Sequence, residues 1–332
     1  MTQKPAKPVK SVTKTSRFLR EYMPDIIDPT PDLTADYSAR FVIEAHPVHG
    51  RLVRLGETLD QILKAHDYPP QIANLLGEAC VLAVLVGASL KFEGRLILQA
   101  QGDGVVRYVV ADYDTRGGLR GFCRFDPEEL AAQVAANEGS FQSLGAQALL
   151  GKGTFIMTLD PEDHGERYQG ITPIEGESLA LCAETYFRQS EQVPTQIKLA
   201  CSEYTDIDGA PNLPVKKWRA AGAMIQAIAG DETRGDTKES FQHIRALFET
   251  LGEEELTDFD LPADRLLFRL FHEDGVRLSA PKPVHKLCRC TQERVEGLVR
   301  SFTAEEQAEM LEADGQVHIT CEYCSKTFFV EP

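Results

Sequence analysis

The residues best equipped for chemistry are four cysteines near the C-terminus. Cys288-Arg289-Cys290 and Cys321-Glu322-Tyr323-Cys324 form two close pairs with thirty residues between them. Two such pairs, brought together by the fold between them, are the usual recipe for a tetrahedral zinc site whose four thiolates bind at about 2.3 Å. The C-x-x-C half is the stronger signal, because most zinc modules space their pairs by two to four residues and C-x-C is tighter. His285 and His318 lie nearby, but Cys288, Cys290, Cys321 and Cys324 already complete the shell, with one zinc expected per chain. A closed four-thiolate shell leaves no place for a metal-bound water, so hydrolysis by zinc hydroxide is not the expected chemistry. Two roles stay open: a purely structural metal, and a metal that keeps thiolates ready for oxidation. The thiolate is the form oxidants attack, and Lys286, Arg289 and Lys326 add cations beside it. Losing zinc would remove about 10–16 kcal/mol of folding free energy, judged from small zinc peptides.

The segment between the pairs is suited to positioning them. Val295, Leu298 and Val299 mark one helix, and Thr303 with Glu306 has the spacing of a capping box for a second. Asp314-Gly315 turns into a strand, Val317–Thr320, that delivers Cys321, and Thr327–Val330 returns as its partner. Residues 281–332 thus read as a compact knuckle of about 50 residues, a size that rarely folds on its core alone. The remaining cysteines, Cys80, Cys123, Cys182 and Cys201, stand singly in apolar stretches and read as small core hydrophobes.

Ahead of the knuckle, residues 231–280 carry two helical stripes on a charged background. Phe241, Ile244, Leu247, Phe248 and Leu251 make the first; Leu266, Leu267, Leu270 and Phe271 make the second. Such helices need a surface to dock on. Residues 231–264 hold eleven acids against Arg234, Lys238 and Arg245, a net −8 within a chain of formal charge −16. A solvated linker with two surface helices and a segment whose docking is deliberately marginal both fit this composition.

Residues 37–230 read as the body. Phe41–Ala45 and Leu52–Leu55 are expected strands joined by a turn around Gly50, and Thr58 with Gln61 is expected to cap a short helix. A longer helix runs from about Pro70 to Leu90, apolar nearly all round in its second half, so that half belongs in a core. Gly102-Asp103-Gly104 is a hairpin signal between strands Arg95–Gln101 and Val105–Ala111. Further strands are expected at Leu119–Phe125, Thr154–Leu159, Tyr168–Ile171 and Thr195–Cys201. Helices are expected from Asp126, over Ser178–Arg188 and over Ala220–Ala229. Strands and helices mix without a βαβ rhythm, which implies an α+β fold with largely antiparallel sheet, helices packed on it, and a small C-terminal four-cysteine zinc domain.

The strong negative charge works against nucleic acid, so a zinc-ribbon nucleic-acid binder is disfavoured. Gly145 to Thr154 only loosely resembles a phosphate-binding loop, since Gly153 stands where a serine or threonine should bind magnesium, and no HExxH pattern occurs. A thiol oxidoreductase would want its C-x-x-C at a helix start rather than between strands. Residues 1–36 form a basic, proline-containing extension without an apolar core, read as a disordered tail rather than a secretory signal, with an organelle transit peptide as the alternative. His46 and His49 are expected on a surface turn. No enzyme activity, membrane span or nucleic-acid partner is expected, and the expected compartment is the cytoplasm.

From about Phe41 to Val330 the chain resembles the 33-kilodalton heat shock proteins, bacterial redox-regulated holdase chaperones. The resemblance rests on the C-x-C and C-x-x-C arrangement and on "LLGEACVLAVLVGASLKFEGRLILQAQGDG", "GKGTFIMTLD", "ERYQGITPIEGESLA", "YFRQSEQVPT" and "LFRLFHEDGV". It implies zinc held by the four cysteines in a reduced, inactive state. It also implies oxidation to Cys288–Cys290 and Cys321–Cys324 disulfides; the sequence alone allows three pairings. The knuckle and linker would then unfold, and the chain would dimerise and hold unfolding client proteins without ATP. Thiol reductants would permit hand-over to ATP-dependent foldases. The basic extension is not required by the resemblance.

Overall fold

A computed structural model describes residues 36–91, 93–136, 145–162, 165–206, 215–228 and 236–331. The basic extension therefore lies outside the described residues up to Asp36. The first sheet begins with β1 (Tyr37–Ile43) and β2 (Val48–Leu55), which pair antiparallel from Tyr37↔Arg54 to Ile43↔Val48. The turn between them is at 44–47, not at Gly50. Gly50 sits inside β2 because a Cβ there would lie 2.1 Å from Cζ of Phe41 and 2.5 Å from the Met224 carbonyl oxygen. The absent side chain makes room for a buried ring rather than for a turn.

Helix α1 (Glu57–Leu63) also starts differently from expectation. Thr58 is buried within its first turn and makes no cap; the Asp36 carboxylate accepts the Gly56 and Thr58 amides instead. Helix α2 (Pro70–Gly87) opens with proline in its first turn and is buried nearly all round. It is long and apolar enough to cross a membrane, yet 83% of it is buried within the protein.

A second sheet follows. Strands β3 (Gly94–Gly102), β4 (Val106–Asp114) and β5 (Gly118–Phe125) form a meander whose first hairpin turns at the expected glycines. Along β3, Leu96, Leu98 and Ala100 are buried in alternation, the signature of a one-faced strand. Helix α3 (Pro127–Ala136) starts where Asp126 Oδ1 accepts the Glu128 and Glu129 amides, both at 3.1 Å. After α4 (Ala146–Leu150), strands β6 (Gly153–Pro161) and β7 (Tyr168–Pro173) complete that side. Ser178 caps α5 (Leu179–Tyr186), which ends in a single π turn over Phe187–Glu191.

Strands β8 (Thr195–Asp206) and β9 (Val215–Ala227) return to the first sheet. The segment Ala220–Ala229, expected as a helix, is strand through Ala227. Its small residues carry high helix propensity, but from Ala220 to Ala227 the strand is buried on both faces, between β2 and β8. Tertiary burial outweighs local preference here. Gly222 permits the approach of α2, since a Cβ would stand 2.6 Å from Cγ1 of Val81.

The acidic segment forms α6 (Thr237–Glu249), α7 (Glu253–Thr257) and α8 (Ala263–Phe271). The chain then adds β10 (Val276–Leu278) and β11 (Lys282–Pro283), both paired with β1, and β12 (His285–Lys286), which pairs parallel with β5. The first sheet is ordered β10-β1-β2-β9-β8, with β11 also on β1, and the second β12-β5-β4-β3-β6-β7. All pairings but β12–β5 are antiparallel, so the fold is α+β as expected. One core joins α2 to the second sheet and to one face of the first; another joins the opposite face of the first sheet to α6, α7 and α8. The order of layers is second sheet, α2, first sheet, acidic helices.

The knuckle consists of α9 (Gln292–Val299), α10 (Ala304–Glu309) and the hairpin of β13 (Val317–Thr320) with β14 (Thr327–Val330). Thr303 and Glu306 form the expected capping box, and Gly315 adopts φ +78° in the expected turn. Val299, Val317 and Val330 form a small buried cluster with Val295, Met310 and Ile319 packed around them; Phe328 of β14 is also buried, and Leu298 is exposed.

Candidate metal centre

The two cysteine pairs meet at one point. Cys288 and Cys290 lie on the extended segment after β12, while Cys321 and Cys324 lie on the β13–β14 turn. That turn is closed by the Ser325 amide donating to the Cys321 carbonyl at 2.8 Å, with Ser325 at φ +56°. Sulfur separations are 3.2 Å for Cys288–Cys290, 3.7 Å for Cys288–Cys321 and 3.3 Å for Cys290–Cys324, and all four sulfurs lie within 4.8 Å of one another. A tetrahedron with 2.3 Å zinc–sulfur bonds has edges of about 3.8 Å. Four soft donors at nearly that spacing, on a turn that already converges, fit zinc. His285 and His318 are not part of the cluster; His318 Nε2 instead pairs with Asp314 Oδ2 at 2.8 Å.

The surroundings favour thiolate at Cys288. Burial pushes the Cys288 thiol up, but the Cys290 amide and the three neighbouring thiols, hydrogen-bonded to it, outweigh burial and hold it at about 7. The neighbouring Cys290 and Cys321 thiols are raised by burial and by that same interaction. A bound cation would hold the four sulfurs together as thiolates. The other cysteines are inert by comparison. Cys80, Cys123 and Cys182 are buried, Cys201 is partly so, and burial raises all four, Cys80 to about 12.

An anchor absent from any sequence pattern ties this centre to the body. Arg289, between the first two cysteines, places Nη2 at 2.8 and 2.7 Å from the two oxygens of Asp112, a buried residue on β4. Asp112 also accepts from Arg120 Nη2 at 2.7 Å and Nε at 3.0 Å, with Arg95 at 3.8 Å. The Arg120 guanidinium stacks 4.0 Å over the Tyr323 ring, whose edge meets Phe122 at 4.6 Å. Thus both cysteine pairs carry a side chain that engages the second sheet. The main chain adds Leu287 N to Leu119 O at 2.8 Å and His285 N to Gly117 O at 2.9 Å.

The acidic helices lie against the opposite face of the first sheet. Of the first stripe, Phe241, Ile244, Phe248 and Leu251 are buried and Leu247 is partly so; of the second, Leu266, Leu267 and Phe271 are buried and Leu270 is partly so. They cover Tyr37, Ala39, Phe41, Ile43, Leu52 and Ile225 of the sheet, with Phe271 stacked on Phe41 at 6.0 Å. Lys198 of β8 caps the end of α6, donating to the Glu249 and Leu251 carbonyls at 2.7 and 2.6 Å. Arg54 of β2 donates to the Leu261 carbonyl at 2.7 Å. A cleft of about 700 Å³ beside α2 is lined by Glu78 and, from α7, Glu253. Burial, and then the Glu253 charge, push the Glu78 carboxyl up to about 7.

Three comparisons with known proteins agree with this architecture. Residues 36–331 match the Hsp33 protein family. The 33 kDa chaperonin of Caulobacter vibrioides is 57% identical over 306 residues, covering 92% of this chain and 98% of that protein. The 33 kDa chaperonin of Serratia proteamaculans is 36% identical over 293 residues, covering 88% and 91%. The crystal structure of the Thermotoga maritima 33 kDa chaperonin matches with a TM-score of 0.70 at 21% identity, covering 89% of this chain and 94% of that one, a likeness of fold. With its α+β layers, its converging cysteines and relatives this similar along nearly their whole length, the chain belongs to the Hsp33 family of chaperones.

Proposed function

We propose that this chaperone is a redox-regulated, ATP-independent holdase, with no catalytic turnover, in which the cysteine centre controls access to the first sheet. In the resting state Cys288, Cys290, Cys321 and Cys324 hold one zinc ion as thiolates. Zinc, when bound, supplies the cross-link that a knuckle with so small a buried cluster lacks. Arg289 and Tyr323 then keep the knuckle on β4 and β5, and the continuous chain from Val276 to Leu287 keeps α8 in line with β1.

Oxidation by a peroxide-class oxidant converts the cysteines to Cys288–Cys290 and Cys321–Cys324 disulfides. Each disulfide consumes two thiolates, two protons and one peroxide, and yields two waters. The sulfur separations suit Cys290–Cys324 as well as Cys288–Cys290, so the pairing rests on the family resemblance. Disulfide sulfurs no longer bind the metal, the knuckle unfolds, and the acidic helices, in a segment whose residues 231–264 carry a net −8, leave the sheet. The stripes and the face bearing Phe41, Ile43, Leu52 and Ile225 then offer apolar surface to unfolding clients in the cytoplasm, and the exposed chain dimerises. Thiol reductants reverse the step and release clients to ATP-dependent foldases.

The observation that carries this reading is the pairing of a knuckle with a small core, fastened to the body beside its cysteines, with a large apolar sheet face covered by acidic helices. The test is to treat the reduced, zinc-loaded protein with peroxide. Zinc release, disulfide mapping and light scattering of a heat-unfolding client are followed together. Suppressed scattering that appears in step with zinc release and the two named disulfides is expected. Equal suppression before and after oxidation would overturn the switch.

A further inference from the structure

A second donor cluster lies where the acidic helices meet the first sheet. His46 in the β1–β2 turn, His243 on α6 and Asp274 in the α8–β10 turn bring three potential ligand atoms within 4.8 Å of one another. His46 Nε2 stands 3.0 Å from Asp274 Oδ1, and His243 Nε2 stands 3.1 and 3.2 Å from Asp274 Oδ1 and Oδ2. The two rings are 5.1 Å apart, centroid to centroid. We propose that His46, His243 and Asp274 form a second metal site, for a divalent transition cation such as Zn2+ or Co2+, that clamps α6 to the body.

Two imidazoles and one carboxylate are a standard donor set for such cations, with the remaining coordination positions left to water. Bonds of about 2.0–2.2 Å place neighbouring ligand atoms about 3 Å apart at right angles and about 3.4 Å apart in a tetrahedron. The observed 3.0–3.2 Å falls at that scale. Both rings aim the same nitrogen, Nε2, at one carboxylate. Two ligands are also held in advance: the Ala45 amide donates to the Asp274 carbonyl at 3.0 Å, and the Glu44 amide to the Gly275 carbonyl at 2.9 Å. The β1–β2 and α8–β10 turns thus carry a ready half-site. The third ligand, half-exposed on α6, completes it only while that helix is docked.

A cation that binds only the docked arrangement suppresses its opening by mass action, about 100-fold at a free concentration 100 times its Kd. The clamp is a property of the resting fold; its effect on activation by oxidants rests on the proposed function above.

The experiment uses the full chain, reduced and carrying one zinc, titrated with Co2+ under equilibrium dialysis and absorption spectroscopy. One additional equivalent is expected, with weak d–d bands and no thiolate charge-transfer absorption. Amide exchange along α6 should slow on its addition. His243→Ala, which removes a half-exposed side chain, should weaken the additional equivalent at least 100-fold and abolish the slowing. His46→Ala and Asp274→Asn should do the same, and His272→Ala, an exposed histidine outside the cluster, should do neither. Absence of the additional equivalent at millimolar cobalt would overturn the site. So would thiolate charge transfer as the only signal, which means exchange at the cysteines, or binding unchanged in His243→Ala. Binding that leaves α6 exchange unchanged would overturn the clamp.

Discussion

Replacing Arg289 by alanine separates the knuckle's metal from its attachment. Arg289 is not a ligand, yet it makes two charge-assisted contacts to buried Asp112. Such bonds are worth about 1.5–3 kcal/mol. Orphaning a buried charge costs about 3–5 kcal/mol, but Asp112 keeps Arg120 at 2.7 Å and Arg95 at 3.8 Å after the change. The loss therefore falls near 2 kcal/mol, about a 30-fold rise in the opening of the knuckle at 1.36 kcal/mol per decade. Asp112→Asn, distant from the ligands in sequence, weakens all three guanidinium contacts and should raise opening more than about 100-fold. Native-state hydrogen exchange at the amides of His285 and Leu287, bonded to Gly117 and Leu119, reads this opening while zinc content is measured in parallel. Arg124→Ala, which breaks a pair with Glu322 exposed on both sides, should change exchange about fivefold at most. If Arg289→Ala and Asp112→Asn, with zinc retained, both exchange within that small range, the anchor does not secure the knuckle.

Glu78 keeps its proton to about pH 7 in the fold but only to about 4.5 when unfolded, so its burial opposes folding increasingly as pH rises between those values. Because the side chain is partly exposed, about 1–2 kcal/mol is at stake; Glu78→Gln should raise stability by that amount at pH 8 and not at pH 4, as thermal melts of the reduced protein will reveal. Cys80, Cys123, Cys182 and Cys201, whose thiol pKa values burial raises, should stay reduced by mass spectrometry after a peroxide treatment that oxidises Cys288, Cys290, Cys321 and Cys324. Phe271→Asp places a charge against Phe41 and should give client protection with zinc still bound, whereas Leu247→Glu, at a partly exposed position, should give less; an inactive, zinc-loaded Phe271→Asp protein whose α8 exchanges freely would count against exposure of this face as the activating event.

What the sequence made legible was local. The cysteine spacing, the Thr303–Glu306 box, the Asp314-Gly315 turn and the two apolar stripes each depend on neighbours within a few residues, and each reappears in the fold. What stayed hidden depends on residues distant in the chain. Asp112 and Arg289 are 177 positions apart, and neither stands out in its own segment. The alanine-rich β9 resembled a helix because its strand character comes from β2, β8 and burial on both faces, none of which is written in its own residues. Gly50 resembled a turn because the Phe41 ring that needs its space belongs to another strand. His46 resembled a surface residue until α6 and the α8–β10 turn closed over it.

Coupling between the cysteine centre and the acidic helices is what the proposed switch requires above all. The direct measurement is residue-level hydrogen exchange of the whole chain, taken zinc-loaded and reduced, and again after peroxide has removed the zinc. The amides of Thr237–Glu249 and Ala263–Phe271 should lose protection together with those of the knuckle, while Gly94–Gly102 and Gly153–Pro161 keep theirs. Acidic helices that remain as protected without zinc as with it, in protein that already protects clients, would contradict the coupling.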